Sequence, residues 1–394
     1  MRIPRTLVLV LAGGKGSRMG ALTEKKVKPA LPLAGSYRLI DVSMSNLMHS
    51  HLSDVWVVEQ YLPHSLNAAL DNGRPWDLDR THGGLRVLPP FEGATGEGFA
   101  RGNSDSLHRQ HDLIRDFGPD LVLVLSADHL YTINFLDVID THERHEADLT
   151  VVTTEITDDA SRYSVVTADD DGVVTGFQYK PEEPAGQVVA GEMFLFDADH
   201  LLEALKVLES EYGELEDYGH DLLPWFVQHR HVVEHRMSGY WIDLGTLQSY
   251  WTAHMQLLDG EGATLDDPDW PILSAQPQRV PARVGSTASV SDSLLTAGSR
   301  VRGRVEHSVI GPGVVVEEGA TVVNSVLLDD VRVGPGVVLE NVIVDVGAQI
   351  TGGNRRGNAQ SVTLIDDQGL VSTSEPLDPA EALPRWVDRA HKGT

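Results

Sequence analysis

Three glycines and two cations crowd the turn "GGKGSR", directly behind the apolar run "TLVLVLA". Backbone N–H groups converge on phosphate oxygens only where no Cβ intervenes. Gly13, Gly14 and Gly16 therefore offer the approach, and Lys15 and Arg18 the charge. Lys28, just before Pro29, adds a further ammonium. A helix starting behind the turn would contribute its positive end. The spacing matches neither the P-loop nor the dinucleotide pattern. Taken alone, such a turn reads as a phosphate cradle or as a tight strand-to-helix connection, and the gathering of cations favours phosphate. A second chemical candidate is Asp128, behind the apolar run "LVLVLS". It stands at the carboxyl end of a buried strand, where open α/β sheets place their ligands. A carboxylate there stands where the sheet rule puts chemistry; its other reading is the cap of a following helix.

The elements that must hold these residues follow from hydrophobic patterning. "TLVLVLA", "DVWVVEQ", "LVLVLSAD", "DLTVVTTE" and "EMFLFDA" read as buried strands, and "LIDVSMSNLMHS", "SDSLHRQHDLIRDFG" and "FLDVIDTHERHEA" as helices between them. This alternation predicts an α/β fold, with a Rossmann-like, mainly parallel sheet over residues 1–262. The stretch "DGEGATLDDPDWPILSAQPQRVPARVG" is rich in Pro, Asp and Gly, and residues 263–283 within it read as a linker over a surface. From 284 to the C-terminus the pattern changes. Apolar residues recur every six positions at Ile310, Val316, Val322 and Leu328, then at Val333 and Leu339, and again at Val344 and Ile350. "IGPGVVVEEG" and "VGPGVVLENV" are near-copies. Such a period predicts a parallel β-helix whose short strands stack one side chain inward; scattered hairpins are the competing reading. "TGGNRRGN" ends the repeat, and "SVTLI" is one more strand before a loose tail.

Composition sets outer bounds. A chain of 394 residues exceeds one ordinary core, so two domains are expected. The net charge of −27 argues against non-specific binding to nucleic acid or anionic membrane, while the basic island around "GGKGSR" and "EKKVKP" leaves room for anionic ligands. The absence of cysteine excludes disulfides, thiolate metal sites and cysteine nucleophiles. No apolar stretch reaches the roughly 18–20 residues of a membrane span. The N-terminus reads as a first strand, not as a signal peptide, and the cytoplasm is the expected compartment.

"LAGGKGSRMGALTEKKVKPALPLAGSYRLIDVSMSNLMHS" resembles the signature of sugar-nucleotide pyrophosphorylases. Within them the chain is most similar to the ADP-glucose pyrophosphorylase (glucose-1-phosphate adenylyltransferase) family. "EQYLPHSL", "LSADHLY", "FQYKP", "DYGHDLLP" and "WIDLGTLQSYW" follow in that family's order. The resemblance implies a nucleotidyltransferase domain followed by a left-handed parallel β-helix. It also implies a reaction in which a sugar 1-phosphate attacks the α-phosphorus of ATP and pyrophosphate leaves, in the service of glycogen or α-glucan synthesis. Catalytic roles then fall on Arg18, Lys28 and Asp128, and Mg²⁺ on Asp128 with Asp243. Nucleotide contacts fall on Leu11, Gly13, Gly14, Gln60 and Gly102, and Lys180 in "YKP" takes the phosphate of the sugar phosphate. Gln60 both donates and accepts, so adenine and uracil stay open.

Four departures from the family cluster around the sugar pocket, which the resemblance assigns to Ala100, Ser164, Tyr179, Lys180, Ala190 and Glu192. Tyr179 replaces a glutamate before the lysine. "AGEMF" stands for "SMGIY", placing Ala190 at a glucose-contacting serine and introducing Glu192. Ser164 takes a glycine position, and an aromatic pair becomes Phe99 and Ala100. A new carboxylate beside the sugar opens an alternative substrate, a cationic amino sugar such as glucosamine 1-phosphate. A catalytically weak regulatory subunit is a further alternative. Relatives use the β-helix for homotetramer assembly and bind sugar-phosphate effectors against it. Lys25, Arg355 and Arg356 are the effector candidates here, beside the plainer reading of solvated charges. An acyltransferase role for the β-helix finds only His307, with no evident partner in the sequence.

Overall fold

The computed structural model describes residues 4–14, 16–90, 100–157, 159–276, 278–352 and 354–377. Lys15, Phe99 and the tail beyond 377 lie outside the described residues.

The first strand, β1 (Thr6–Ala12), is buried along its whole length. It pairs in parallel with β2 (Asp54–Glu59) on one side and with β4 (Leu121–Ser126) on the other. β2 in turn pairs with β3 (Gly84–Leu88). The run "TLVLVLA" is apolar throughout because helices cover both faces of the sheet. Val8, Val10 and Ala12 enter one core layer, and Leu7, Leu9 and Leu11 the opposite one. Beyond β4 the direction reverses. The long strand β9 (Val188–Asp197) runs antiparallel to β4 and also to β6 (Leu149–Glu155) and β7 (Ser164–Ala168). β8 (Val174–Tyr179) pairs with β7, and β10 (Val232–Arg236) pairs in parallel with β6. A separate ribbon joins β5 (His129–Tyr131) to β11 (Trp241–Asp243).

Helices form at Leu39–His49 and Phe135–Arg144 as the periodicity predicts. "SDSLHRQHDLIRDFG" instead splits into Asn103–His108 and His111–Phe117. The proline-rich linker is strapped over the helix Leu39–His49. Trp270 Nε1 donates to Asn46 Oδ1 at 2.7 Å, the Leu273 N–H donates to Ser45 Oγ at 2.9 Å, and Trp76 Nε1 donates to the Leu273 carbonyl at 3.1 Å.

The C-terminal part winds into three sheets of five, five and six strands, the arrangement of a left-handed parallel β-helix. Val316, Val333 and Ile350 stack in register along one sheet, and Val305, Val322 and Leu339 along the next. Each of these steps is seventeen residues, so a coil divides into two sides of six and one of five. That short side explains the slip in the six-residue period, and it corrects one position. Leu327, not Leu328, points into the β-helix core, while Leu328 packs outward against the N-terminal α/β part. The segment "SVTLI" forms the strand Ser361–Ile365, which carries an antiparallel partner, Val371–Pro376.

One hydrophobic cluster spans both parts. It includes Met19 and Leu22 behind the glycine turn, Tyr250 of the helix Leu247–Asp259, and Val326, Ile343, Val362 and Leu364 of the β-helix. Among the described residues no helix is long and apolar enough to cross a membrane.

Candidate active site

A cleft of about 480 Å³ opens at the carboxyl ends of β1 and β4. Its first wall is the glycine turn: Leu11, Gly13, Gly14, Gly16 and Arg18 all line it. Gly16 takes φ 60°, in the left-handed region, and the chain continues as a 3₁₀ turn, Ser17–Thr23, kinked at Gly20. The α-helix expected behind the turn is absent, so its dipole cannot supply the positive end. Backbone N–H groups and the exposed Arg18 remain for that purpose. Gln60 is not part of the lining but packs against Gly13, where a Cβ would come within 2.7 Å of its Cδ.

The floor is electrostatic. Lys28 is held in a short 3₁₀ turn beside Pro29, and its side chain is only 8% exposed. Its Nζ donates to Asp128 Oδ2 at 2.7 Å and to Asp243 Oδ1 at 3.1 Å. Asp128 follows β4, and Asp243 ends β11. The antiparallel register that pairs Asp243 with His129 brings the two carboxylates to one cation across more than a hundred residues of chain. Asp128 also accepts from the Ser126 hydroxyl. His129 lies against both carboxylates, Nδ1 at 3.3 Å from Asp128 and Nε2 at 3.8 Å from Asp243, and stacks on Trp241. Burial alone would push the Lys28 ammonium down, but Asp128 and Asp243 outweigh it and hold it above the usual lysine range. Burial would likewise raise Asp128, yet Lys28, with help from His129 and Ser126, keeps its carboxyl well below the ordinary value. Two carboxylates sharing one cation form a hard oxygen donor set, which fits a divalent ion of the Mg²⁺ type.

The far wall comes from β7, β9 and the loop before the helix Leu222–His229. Ser164, Lys180, Ala190, Glu192, Asp217 and Tyr218 line it. Glu192 sits at a bulge of β9 and takes φ 57°, a left-handed conformation costly for a residue with a side chain. Tyr218 Oη donates to Glu192 Oε2 at 2.6 Å. Burial raises the Glu192 carboxyl, and the neighbouring His129 and Tyr218 only partly oppose it.

The cleft thus gathers Leu11, Gly13, Gly14, Arg18, Lys28, Asp128, Asp243, Ser164, Lys180, Ala190 and Glu192. Ala100, Gly102 and Tyr179 are not among its lining residues. Asn103, next to Gly102, is. Gly102 serves the packing, since a Cβ there would overlap the Glu216 carbonyl. Arg162, Tyr163, Asp217, Tyr218 and Trp241 also line the cleft and went unassigned in the sequence. "DYGHD" and "RYSVV" were the available signals for four of them.

The three effector candidates lie outside this cleft: Arg355 and Arg356 line one separate hollow with Thr363 and Leu370, Arg355 also pairs with Glu340, and Lys25 pairs with Asp367. His307 has partners that the sequence did not reveal: Nδ1 faces Asn324 Oδ1 and Nε2 faces Asp259 Oδ1, each at 3.0 Å. Those contacts tie the β-helix to the end of the helix Leu247–Asp259.

Residues 7–260 match the family model described as nucleotidyl transferase, and residues 277–364 match the model described as GlmU-like, C-terminal hexapeptide. The glucose-1-phosphate adenylyltransferase of Bacillus cytotoxicus is 34% identical over 365 residues, covering 91% of this chain and 97% of that one. Enzymes of the same name from Bacillus thuringiensis and Bacillus anthracis are each 35% identical over 343 residues, covering 86% of this chain and 91% of theirs.

Proposed function

We infer that this chain, which belongs to the nucleotidyl transferase family, makes ADP-glucose and pyrophosphate from ATP and glucose 1-phosphate, for α-glucan synthesis in the cytoplasm. The observation that carries the reading is the floor of the cleft, where Lys28 bridges Asp128 and Asp243 between a glycine turn on one side and Lys180 on the other. The adenylyltransferase relatives support the choice of substrates.

In this reaction an oxygen of the sugar phosphate bonds to the α-phosphorus, the bond bridging α- and β-phosphates breaks, and pyrophosphate carries the electron pair away. Attacker and target are both anions, so the protein's task is to position them and offset their charge. Gly13, Gly14 and Gly16 admit the triphosphate against backbone N–H groups. Arg18 adds charge at the rim, and Lys28 meets negative charge as it builds on the leaving pyrophosphate. Lys180 holds the sugar phosphate on the opposite wall. Asp128 and Asp243 would hold Mg²⁺, which when bound would offset the negative charge of the phosphates. The β-helix fits assembly of a homotetramer with a sugar-phosphate effector site, by analogy with relatives.

One observation favours a second substrate. Glu192 is a half-buried carboxylate at the sugar wall, held by Tyr218, and no cation is hydrogen-bonded to it among the described residues. A 2-amino sugar phosphate would supply that cation. Crossing ATP and UTP with glucose and glucosamine 1-phosphates, in the presence of Mg²⁺, tests both readings by pyrophosphate release. Activity restricted to ATP with glucose 1-phosphate supports the first. A higher kcat/KM for the amino sugar that disappears in Glu192→Gly supports the second. No turnover with any pair, in protein that is folded, refutes both and points to a regulatory subunit.

A further inference from the structure

Tyr179 stands next to Lys180 at the end of β8 but does not line the cleft. Successive residues of a strand point to opposite faces. Lys180 breaks that alternation with φ 42°, a left-handed kink just before Pro181. The kink folds the lysine back along its neighbour. Its Nζ donates to Tyr179 Oη at 2.9 Å and lies 4.6 Å from the centre of the tyrosine ring. The ring itself is wedged. His220 packs edge-on at 4.3 Å between centroids, and Gly219 leaves the space the ring fills, since a Cβ there would overlap it. The loop that supplies Gly219 and His220 is anchored by Asp217, whose Oδ1 accepts the Gly219 N–H at 3.0 Å.

We propose that Tyr179 is a positioning residue: wedged against Gly219 and His220, it aims the Lys180 ammonium into the cleft and so sets affinity for the phosphate of the sugar substrate. The proposal rests on the reading of Lys180 as the sugar-phosphate ligand. It gives Tyr179 a task that needs no contact with the sugar. It also explains why a glycine precedes His220. An unfixed lysine samples many rotamers in water, and holding it beforehand removes that ordering cost from binding.

The test compares initial rates of wild type, Tyr179→Phe, Gly219→Ala and Lys180→Gln with Mg²⁺, ATP and the sugar phosphate that the wild type turns over. Tyr179→Phe removes one hydroxyl and keeps the ring. Its KM for the sugar phosphate should rise about tenfold, the scale of one hydrogen bond to a charged group. Its kcat should stay within about twofold and its KM for ATP and melting temperature should not move. Gly219→Ala should reproduce that KM shift, and the double variant should add little to either. Lys180→Gln separates the two layers of the argument. If it leaves the sugar-phosphate KM unchanged, the assignment of Lys180 fails and the positioning role falls with it. If it raises that KM while Tyr179→Phe does not, only the positioning role is overturned. Loss of kcat and melting temperature together in Tyr179→Phe would show a merely structural residue and would also overturn the proposal.

Discussion

Replacing Lys28 with methionine removes the cation that two carboxylates share and keeps most of the side chain's bulk. The Lys28 Nζ lies 2.7 Å from Asp128 and 3.1 Å from Asp243. At an effective dielectric of about 20, those separations correspond to roughly 6 and 5 kcal/mol of gross attraction. Desolvating the ammonium takes back several kcal/mol, so the pair is worth far less than that total. Removing one partner is another matter, because it leaves two anions facing each other in a partly buried site, about 26% and 25% exposed. Deletions of this kind destabilise by roughly 3–5 kcal/mol. For a cooperative unit of roughly 250 residues, about 2 °C of melting temperature follows each kcal/mol, which predicts a fall of about 6–10 °C in EDTA. Mg²⁺ should then restore more stability to the variant than to the wild type, because ammonium and divalent ion compete for the same two carboxylates, and binding to the folded state stabilises it by mass action. Catalysis should nonetheless stay low, since the ion cannot replace the ammonium against pyrophosphate. Melting curves of both proteins across a Mg²⁺ titration, beside rates of pyrophosphate release, check each part. Equal melting temperatures in EDTA and equal Mg²⁺ responses would refute the shared-cation argument.

Asp41 and His254 give pH predictions of opposite sign. Burial pushes the Asp41 carboxyl up to about 6, against the Ser274 hydroxyl and Arg38, so its stabilising share is complete below about pH 4 and is lost as pH rises through 6. Asp41→Asn should therefore gain on the wild type as pH rises, by about 1.4 kcal/mol between urea unfolding at pH 5 and at pH 8. His254 is pushed down to about 4 by burial; it faces the Tyr250 carbonyl with Nδ1 and the Ala34 N–H with Nε2, so neither nitrogen is spare for a second proton. Its share is complete above about pH 6.5 and lost as pH falls through 4, and His254→Phe should flatten the loss of stability across that interval, again by about 3 kcal/mol at most. Gly102→Ala should cost about 1–3 kcal/mol and raise the KM for the sugar phosphate, because the overlap with Glu216 displaces Asp217 and Tyr218; an unchanged melting curve would contradict it.

The strands were legible because burial on two faces leaves an uninterrupted apolar run, as in Thr6–Ala12 and Leu121–Ser126. Asp128 was legible for the same reason, since the end of such a run locates the end of a strand. Its meeting with Asp243 was not, because strand register between distant segments leaves no local trace; only the resemblance joined them. Leu328 misled because apolar residues at a seam carry the same letter as those in a core, and the count of six hides a side of five. The kink at Lys180 and the bulge at Glu192 were invisible for another reason. Both set non-glycine residues in the left-handed region, against the local preference that sequence reading relies on.

Met19 and Leu22 sit in the same apolar cluster as Val362 and Leu364, so the residues flanking Arg18 are backed by the last coil of the distal module. The catalytic half is thus not self-sufficient: truncating the chain at its linker would strip the wall from behind the very turn expected to grip the triphosphate. Any displacement of that coil would reach the glycine turn through two side chains, Met19 and Leu22.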